Sequence, residues 1–265
     1  MKILNNLLNT KHYDKLNFFF ARKIFKLFKI FFVETNHRNL PINNYKINKK
    51  NLLNDLNQIK IFETNNYKPY ITYPNILNLL ISITPVEAKL KIYDYGAGNL
   101  NLYFYLKSNL KKLDYFFYDQ KEVLEAVQEV KKKNSLDSLY VESSIPINLD
   151  IVYFGSTIQY IHNFEDAISK FFKKTKYILI SQTPFFEKPN EIKTIIAKQL
   201  NMHPDINYLY MFNINRFIDF MKKNNYLLVE KNFNKVTKFL NFRNFDAKYE
   251  KLDMYDLLFK YQKNE

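Results

Sequence analysis

The segment from Lys89 to Asn101 constrains the fold more than any other part of this chain. Its sequence, KLKIYDYGAGNLN, joins a short apolar run to Gly96 and Gly98, and the chain has only 3 glycines. Glycine adopts positive φ without strain and lets a ligand approach the backbone closely. The apolar run predicts a buried strand at 90–95, and the apolar spacing that follows predicts a helix at 99–110. The segment is therefore predicted to be a strand, a glycine turn and a helix, whose N–H groups and positive end face a ligand.

The rest of the chain predicts a single α/β domain. Strands and helices alternate after the glycine turn, which is the pattern of a mostly parallel sheet with helices on both faces. Strands are predicted at 113–118, 138–142, 149–154, 177–181, 226–232 and 254–261, and helices at 74–83, 123–132, 164–174 and 213–223. We expect an N-terminal helical extension and cap over residues 1–85 and the α/β domain over residues 86–265.

The composition limits the classes of function. The absence of cysteine excludes disulfides, thiolate zinc sites and cysteine nucleophiles. A formal net charge of +14 would ordinarily suggest nucleic acid or an anionic membrane as a partner. Lysine, asparagine, isoleucine, phenylalanine and tyrosine are enriched together, however, which indicates a biased base composition. Only four arginines are present, too few for a typical phosphate-reading surface, so nucleic acid is not the expected partner.

Small and polar residues follow several of the predicted strands. All three glycines, Gly96, Gly98 and Gly155, lie just beyond strand ends, and ligands of open α/β sheets bind at those ends. Asp119 follows the second strand of the predicted sheet, where such folds bind a ribose, although it could also cap the next helix. The other candidate binding residues at these ends are Asp94, Ser143, Ser144 and Ser156.

Asp94 favours a cationic ligand over a dinucleotide. The dinucleotide fingerprint requires glycine at position 101, where this chain has Asn101, and a carboxylate would repel the pyrophosphate. An acidic residue followed by spaced glycines resembles the first motif of the class I S-adenosylmethionine-dependent methyltransferases. Asp94, Gly96 and Gly98 match that motif, whereas Leu100 stands at its third glycine.

Two later segments resemble the motifs of one particular family within this class. Gly155 to Ile161 reads GSTIQYI and Gln182 to Phe185 reads QTPF. With Asp94 to Ala97, they resemble the motifs of a methyltransferase family encoded near bacterial surface-polysaccharide genes, over roughly residues 85–235. That family has arginine where this chain has Gln182.

The resemblance implies a Rossmann-like fold with a seven-stranded sheet that ends in an antiparallel hairpin. It implies S-adenosylmethionine as cofactor and an O-methylated sugar, glycan or glycan substituent as product. It also implies ribose binding by Asp119 and adenine contacts by Ser143 and Ser144, although serines before Ile-Pro are also ordinary turn residues.

The long segment between Thr183 and Phe212 predicts a lid over the ligand site. We expect a helix at 191–200 within it, and 203–205 and 208–210 facing the pocket. His162 and His203 are the two histidines at this end of the sheet, and each is a candidate general base for a hydroxyl acceptor.

The N-terminal run at 13–32 is rich in phenylalanine and lysine and predicts an amphipathic helix. Its frequent charges fit neither a spanning helix nor a signal peptide. We expect this segment, taken to residue 33, to contact the domain, a partner subunit or a membrane surface, and the protein to be cytoplasmic.

Three alternatives to a glycan methyltransferase stay open. Leu100 in place of glycine fits a non-catalytic relative that binds without cofactor. A nucleotide-dependent oxidoreductase shares the layered fold, and a nucleic-acid methyltransferase would show binding that depends steeply on salt. No spacing of His, Asp or Glu predicts a metal site.

Overall fold

The computed structural model describes residues 27, 31–41, 73–84, 88–141, 144–199, 207–234, 242 and 245–263. Most of the N-terminal run lies outside these residues, and so does the segment 50–62, for which the sequence also predicts a helix. The described chain forms ten strands and five α-helices. The strands are β1 (Phe32–Glu34), β2 (Leu90–Tyr95), β3 (Leu113–Tyr118), β4 (Leu139–Val141), β5 (Leu149–Gly155), β6 (Thr175–Phe186), β7 (Thr194–Gln199), β8 (Asn207–Asn213), β9 (Tyr226–Phe233) and β10 (Asp253–Tyr261). The helices are α1 (Tyr73–Ile83), α2 (Asn101–Asn109), α3 (Lys121–Asn134), α4 (Phe164–Ser169) and α5 (Ile214–Lys223), with a 3₁₀ turn at Ile158–Tyr160.

The seven predicted strands form the core sheet in the order β4-β3-β2-β5-β6-β10-β9. Strands β2 to β6 pair in parallel, and β10 lies antiparallel between β6 and β9. The chain reverses direction across the sheet between β2 and β5, which are neighbours. The predicted parallel sheet and its antiparallel C-terminal hairpin are confirmed, and β2 and β5 form the switch point of the sheet.

Both faces of the sheet are covered, as the apolar strands require. Successive residues of one strand enter opposite clusters: Ile92 packs with the apolar sides of α1, α2 and α3, whereas Tyr93 packs with α4 and α5. In strand β5, residues on both faces are fully buried, namely Ile151, Val152 and Phe154. A strand of this composition cannot leave either face in water, so helices must cover both.

Three strands extend the sheet beyond this core. β6 continues to Phe186, and its last two residues pair in parallel with the end of β8. β8 pairs antiparallel with β7, which pairs antiparallel with β1. We call β1, β7 and β8 the sheet extension. Two of these strands, β7 and β8, lie in the segment that was predicted to be a lid.

The prediction of a helix at 191–200 is wrong, because Thr194–Gln199 is strand β7. Its sequence, TIIAKQ, has three β-branched residues in a row, and pairing with β8 and β1 satisfies its backbone on both sides. Other differences are small: α4 ends at Ser169 rather than near residue 174, and β6 is longer than predicted.

The N-terminal segment contributes to the sheet as well as to the helices. The helix predicted from Pro74 is confirmed as α1. Phe32, expected on the apolar face of a helix, instead lies in β1 and is buried. Glu34 of the same strand accepts a hydrogen bond of 2.5 Å from the Tyr249 hydroxyl. Among the described helices, none is long and apolar enough to cross a membrane.

Candidate cofactor and acceptor site

The glycine turn after β2 has the positive φ angles that its sequence predicts. Gly96 has φ 72° and Gly98 has φ 67°. The Gly96 N–H donates to the carbonyl of Tyr118 at 2.8 Å, which holds the turn against the end of β3. A Cβ atom on Gly96 would lie 2.3 Å from Cγ2 of Thr157, so any other residue there would have to displace Thr157. Gly98 has no heavy atom within 4 Å of such a position and is exposed.

Asp119 lies directly after β3, beside this turn. Its Oδ2 accepts a hydrogen bond from the Gly98 N–H at 2.7 Å, and its Oδ1 accepts one from the Gln120 N–H at 2.7 Å. Burial raises the pKa of this carboxyl group, while the two backbone donors oppose that effect. Each oxygen keeps a further lone pair for a ligand, because a carboxylate has about four acceptor positions.

The loop after β5 is joined to the glycine turn by one side chain. Thr157 Oγ1 lies 2.9 Å from the carbonyl of Gly155 and 3.2 Å from that of Gly96, and it donates to both. Ser156, at φ 54°, donates its N–H to the carbonyl of Ser181 at 2.9 Å. The loops after β2 and β5 are thus connected to each other and to β6 at the same edge of the sheet.

The motifs at 155–161 and 182–185 are also in contact with each other. Gln159 is 2% exposed, and its Nε2 donates to Ser156 Oγ at 2.9 Å. Its Oε1 accepts a hydrogen bond from Thr183 Oγ1 at 3.3 Å. Behind them, buried Asp256 accepts from the Ser181 hydroxyl at 2.7 Å and from the Gln182 N–H at 2.9 Å.

A cavity of about 810 Å³ opens between these loops and the sheet extension. The volume lies toward the upper end of the roughly 300–1,000 Å³ typical of small-molecule sites. Among the described residues, neither lysine nor arginine lines it; Asp119 and His162 are its only acidic or histidine side chains. The lining residues are Leu40, Pro41, Tyr95, Gly96, Tyr118, Asp119, Gln120, Ser156, Thr157, Tyr160, Ile161, His162, Gln199 and Asn207.

Asp94 is not among the residues that line this cavity. It is 2% exposed, and its Oδ2 accepts a hydrogen bond from the Tyr115 hydroxyl inside the core. Burial raises the pKa of its carboxyl group to about 7, with the Tyr115 hydrogen bond opposing the shift. The structure thus places the first acidic residue of the motif beneath the glycine turn, because its position in β2 directs it to the face that α1 to α3 cover.

The remaining predicted site residues divide into three groups. Gly96, Asp119, Ser156 and His162 line the cavity. Gly98, Gly155 and Ser144 do not, although Gly98 belongs to the glycine turn beside the cavity and Gly155 ends β5 next to Ser156. A Cβ on Gly155 would lie 2.4 Å from the Tyr153 hydroxyl. Ser143 and His203 lie outside the described residues.

Several residues of the cavity wall escaped the sequence analysis. Leu40 and Pro41 follow β1, Gln199 ends β7 and Asn207 begins β8. Tyr208 and Tyr210, which were expected to face the pocket, are absent from its lining, and Tyr208 packs edge-on against His37 instead. Only the pairing of the sheet extension brings these distant segments together. Among the described residues, no cluster of His, Cys, Asp or Glu could hold a metal ion.

Comparisons with known proteins identify the fold. No protein-family model and no curated protein sequence matches this chain. The N-terminal domain of EvdMO1, solved in the presence of SAH and D-fucose, matches with a TM-score of 0.53 and 8% identity over 83% of this chain and 99% of its own. The glycopeptide N-methyltransferase MtfA complexed with sinefungin gives a TM-score of 0.50 and 8% identity over 73% and 86%.

A methyltransferase dependent on S-adenosylmethionine from Clostridium acetobutylicum ATCC 824 matches with a TM-score of 0.49 and 11% identity, over 79% of this chain and 99% of its own. The strand order, the switch point and the similarity to the EvdMO1 and MtfA structures together show the fold: this chain has the Rossmann-like fold of class I methyltransferases. To that fold the chain adds the three-stranded sheet extension beside the cavity.

Proposed function

We propose that this chain is a methyltransferase that uses S-adenosylmethionine and methylates an oxygen of a sugar, a glycan or a glycan substituent. The observation that carries the proposal is the position of Asp119. Its carboxylate lines the cavity beside the glycine turn, at the end of β3, where this fold binds a ribose. EvdMO1 was solved in the presence of SAH and MtfA in complex with sinefungin, which supports the same cofactor for this chain.

The chemistry of the cavity fits a cationic cofactor better than a dinucleotide. A pyrophosphate is usually bound with the help of cations, and no described lysine or arginine lines the cavity. A sulfonium is instead attracted by the Asp119 carboxylate and by the rings of Tyr95 and Tyr118, whose centroids are 4.9 Å apart.

The residues of the chain would bind, orient and shield the reactants. Asp119 accepts hydrogen bonds from the ribose hydroxyls, and the backbone of Gly96 and Gly98 permits close approach. Gly155 and Ser156 form the opposite edge of the cofactor site. Ser143 and Ser144 stay proposed adenine contacts, and Asp94 would act through the turn above it rather than by direct contact.

S-adenosylmethionine supplies an activated methyl group, so alignment with the acceptor and exclusion of water are the protein's main tasks. His162 lines the cavity and is the proposed base that removes the acceptor proton, with His203 as the second candidate. A small molecule or glycan is the proposed partner, and the same lack of lining cations disfavours nucleic acid. The cytoplasmic location and the membrane or subunit contact at 13–33 stay predictions.

Calorimetric titration with S-adenosylhomocysteine, with NAD titrated in parallel, tests this proposal. We expect micromolar binding of S-adenosylhomocysteine and none of NAD. Binding of NAD alone would overturn the proposal in favour of an oxidoreductase. Binding of neither would favour the non-catalytic alternative.

A further inference from the structure

Two carboxamide side chains form a pair on the cavity wall that the sheet extension builds. Gln199 ends β7 and Asn207 begins β8, and the two residues are direct partners across this antiparallel pair. Directly opposite residues present their side chains to the same face. Both line the cavity, although only 7% of Gln199 and 8% of Asn207 is exposed.

These carboxamides are only partly satisfied within the protein. Gln199 Oε1 accepts a hydrogen bond of 2.7 Å from the Tyr160 hydroxyl, whose pKa burial raises to about 12. Asn207 Oδ1 is buried without a hydrogen-bond partner among the described residues. Gln199 Nε2 makes no described hydrogen bond, and it is not one of the atoms sealed from solvent. A buried polar group without a partner costs about 1–3 kcal/mol, and such groups in native proteins call for a ligand or a functional reason.

The charge of this wall restricts what the ligand can be. The chain has 40 lysines and arginines and a net charge of +14, yet none of these residues that the structure describes lines the cavity. Anionic ligands are normally held by such cations. Leu40, Pro41 and Ile161 add apolar surface beside the carboxamides. The combination of donors, acceptors and apolar patches without charge suits an uncharged molecule that carries several hydroxyl groups.

We infer that Gln199 and Asn207 bind the methyl acceptor, and that this acceptor is an uncharged polyhydroxylated molecule such as a neutral glycoside. The inference rests on the proposed function, since it assigns the cofactor to the other half of the cavity. Gln199 Nε2 donates to one acceptor hydroxyl, and Asn207 contacts the acceptor beside it. Tyr160 orients Gln199 by occupying its Oε1.

The test measures binding to protein saturated with S-adenosylhomocysteine, by saturation-transfer and chemical-shift NMR titration. The neutral probes are the methyl glycosides of glucose, galactose and N-acetylglucosamine, and the anionic probes are glucuronate and glucose 1-phosphate. The variants are Gln199→Glu, which keeps an acceptor for Tyr160 but removes the amide donor, and Asn207→Ala. Gln128→Ala is the matched control, because Gln128 Oε1 is also buried without a described partner but lies on α3, away from the cavity.

We expect at least one neutral glycoside to bind tenfold more tightly than either anion. Gln199→Glu and Asn207→Ala should each weaken that binding tenfold or more, whereas Gln128→Ala should change it less than twofold. The affinity for S-adenosylhomocysteine should stay within twofold in all three variants. Asn207→Ala should not lower the melting temperature of the ligand-free protein, because the side chain makes no described hydrogen bond there.

Preference for the anionic probes, binding of none of the probes, or equal glycoside binding in wild type and both variants would each overturn the inference. If wild-type protein fails to bind S-adenosylhomocysteine, the proposed function itself has failed. The cofactor titration therefore separates the two failures. If Gln199→Glu does not fold, Asn207→Ala with retained cofactor binding decides the outcome alone.

Discussion

Asp119 Oδ2 accepts a hydrogen bond from the Gly98 N–H at 2.7 Å, across 21 positions of sequence. The bond joins the end of β3 to the glycine turn after β2. One carboxylate therefore shapes the turn and also lines the cavity in which a cofactor would lie. The two interpretations of Asp119, structural and ligand-binding, are compatible, and its variants should affect ligand affinity more than folding.

Asp119→Asn should weaken binding of S-adenosylhomocysteine roughly 10- to 100-fold. Hydrogen bonds to a charged group contribute about 1.5–3 kcal/mol, and the amide loses both the charge and one acceptor oxygen. Calorimetric titration measures the change. Asp219→Asn, an exposed substitution on α5, is the control and should leave the affinity unchanged. Equal affinities for wild type and Asp119→Asn would contradict the ribose assignment.

Gly96→Ala and Gly98→Ala should differ sharply although both glycines have positive φ. Alanine at 96 combines backbone strain with a Cβ 2.3 Å from Thr157, so we expect a loss of roughly 2–5 kcal/mol in the free energy of unfolding. Alanine at 98 meets nothing within 4 Å and should cost only about 1–2 kcal/mol. Urea denaturation of both variants checks the contrast. Equal losses would show that Thr157 does not restrict the turn.

Asp94→Asn should change how stability depends on pH. Burial raises the Asp94 pKa from 3.8 to about 7, so between these values the folded state holds a proton that the unfolded state has lost. The free energy of unfolding therefore falls as pH rises through this window, by about 4 kcal/mol from this group, and is level above it.

The Asp94→Asn variant lacks this contribution. Compared with wild type, it should gain stability between pH 5 and pH 8, as measured by urea denaturation at both values. Its affinity for S-adenosylhomocysteine should stay within about threefold, because Asp94 does not line the cavity. If the free energy of unfolding of wild type and Asp94→Asn changed equally between the two pH values, the raised pKa of Asp94 would be contradicted.

His162→Gln should lower the rate of methyl transfer to the best-bound neutral glycoside by roughly 10²-fold, the usual contribution of a positioned base. The affinity for S-adenosylhomocysteine should not change, and the rate of the variant should recover partly at high pH. His37→Gln is the control, since His37 is exposed, packs on Tyr208 and is absent from the cavity lining. An unaltered rate would exclude His162 as the base.

Thr157→Val should weaken cofactor binding about fivefold by releasing the Gly96 and Gly155 carbonyls from their shared donor. One such hydrogen bond contributes roughly 1 kcal/mol, and valine has nearly the same shape as threonine. Thr175→Val removes a comparable hydrogen bond to the Tyr177 carbonyl outside the cavity and should leave cofactor affinity intact. Similar affinities in both variants would show that this link does not matter for binding.

The local pattern of the sequence was sufficient for the core of the fold. Buried strands such as β5 contain short apolar runs, here Ile151 to Phe154, and the glycines of the turn mark the positions where φ is positive. The position of Asp119 after β3 follows from the same alternation of strand and helix. These features depend on neighbours within a few residues, which is why periodicity and glycine placement revealed them.

Long-range pairing decided the rest. The segment at 194–199 looked helical in isolation, but its partners β1 and β8 make it a strand. Asp94 looked like a ligand contact, and only the packing of Tyr115 against it shows that it is buried. Gln199 and Asn207 become a pair on the cavity wall solely through strand register. Local sequence determines which backbone conformations are accessible. The burial and the contacts of a polar side chain depend on segments that meet only in the folded chain.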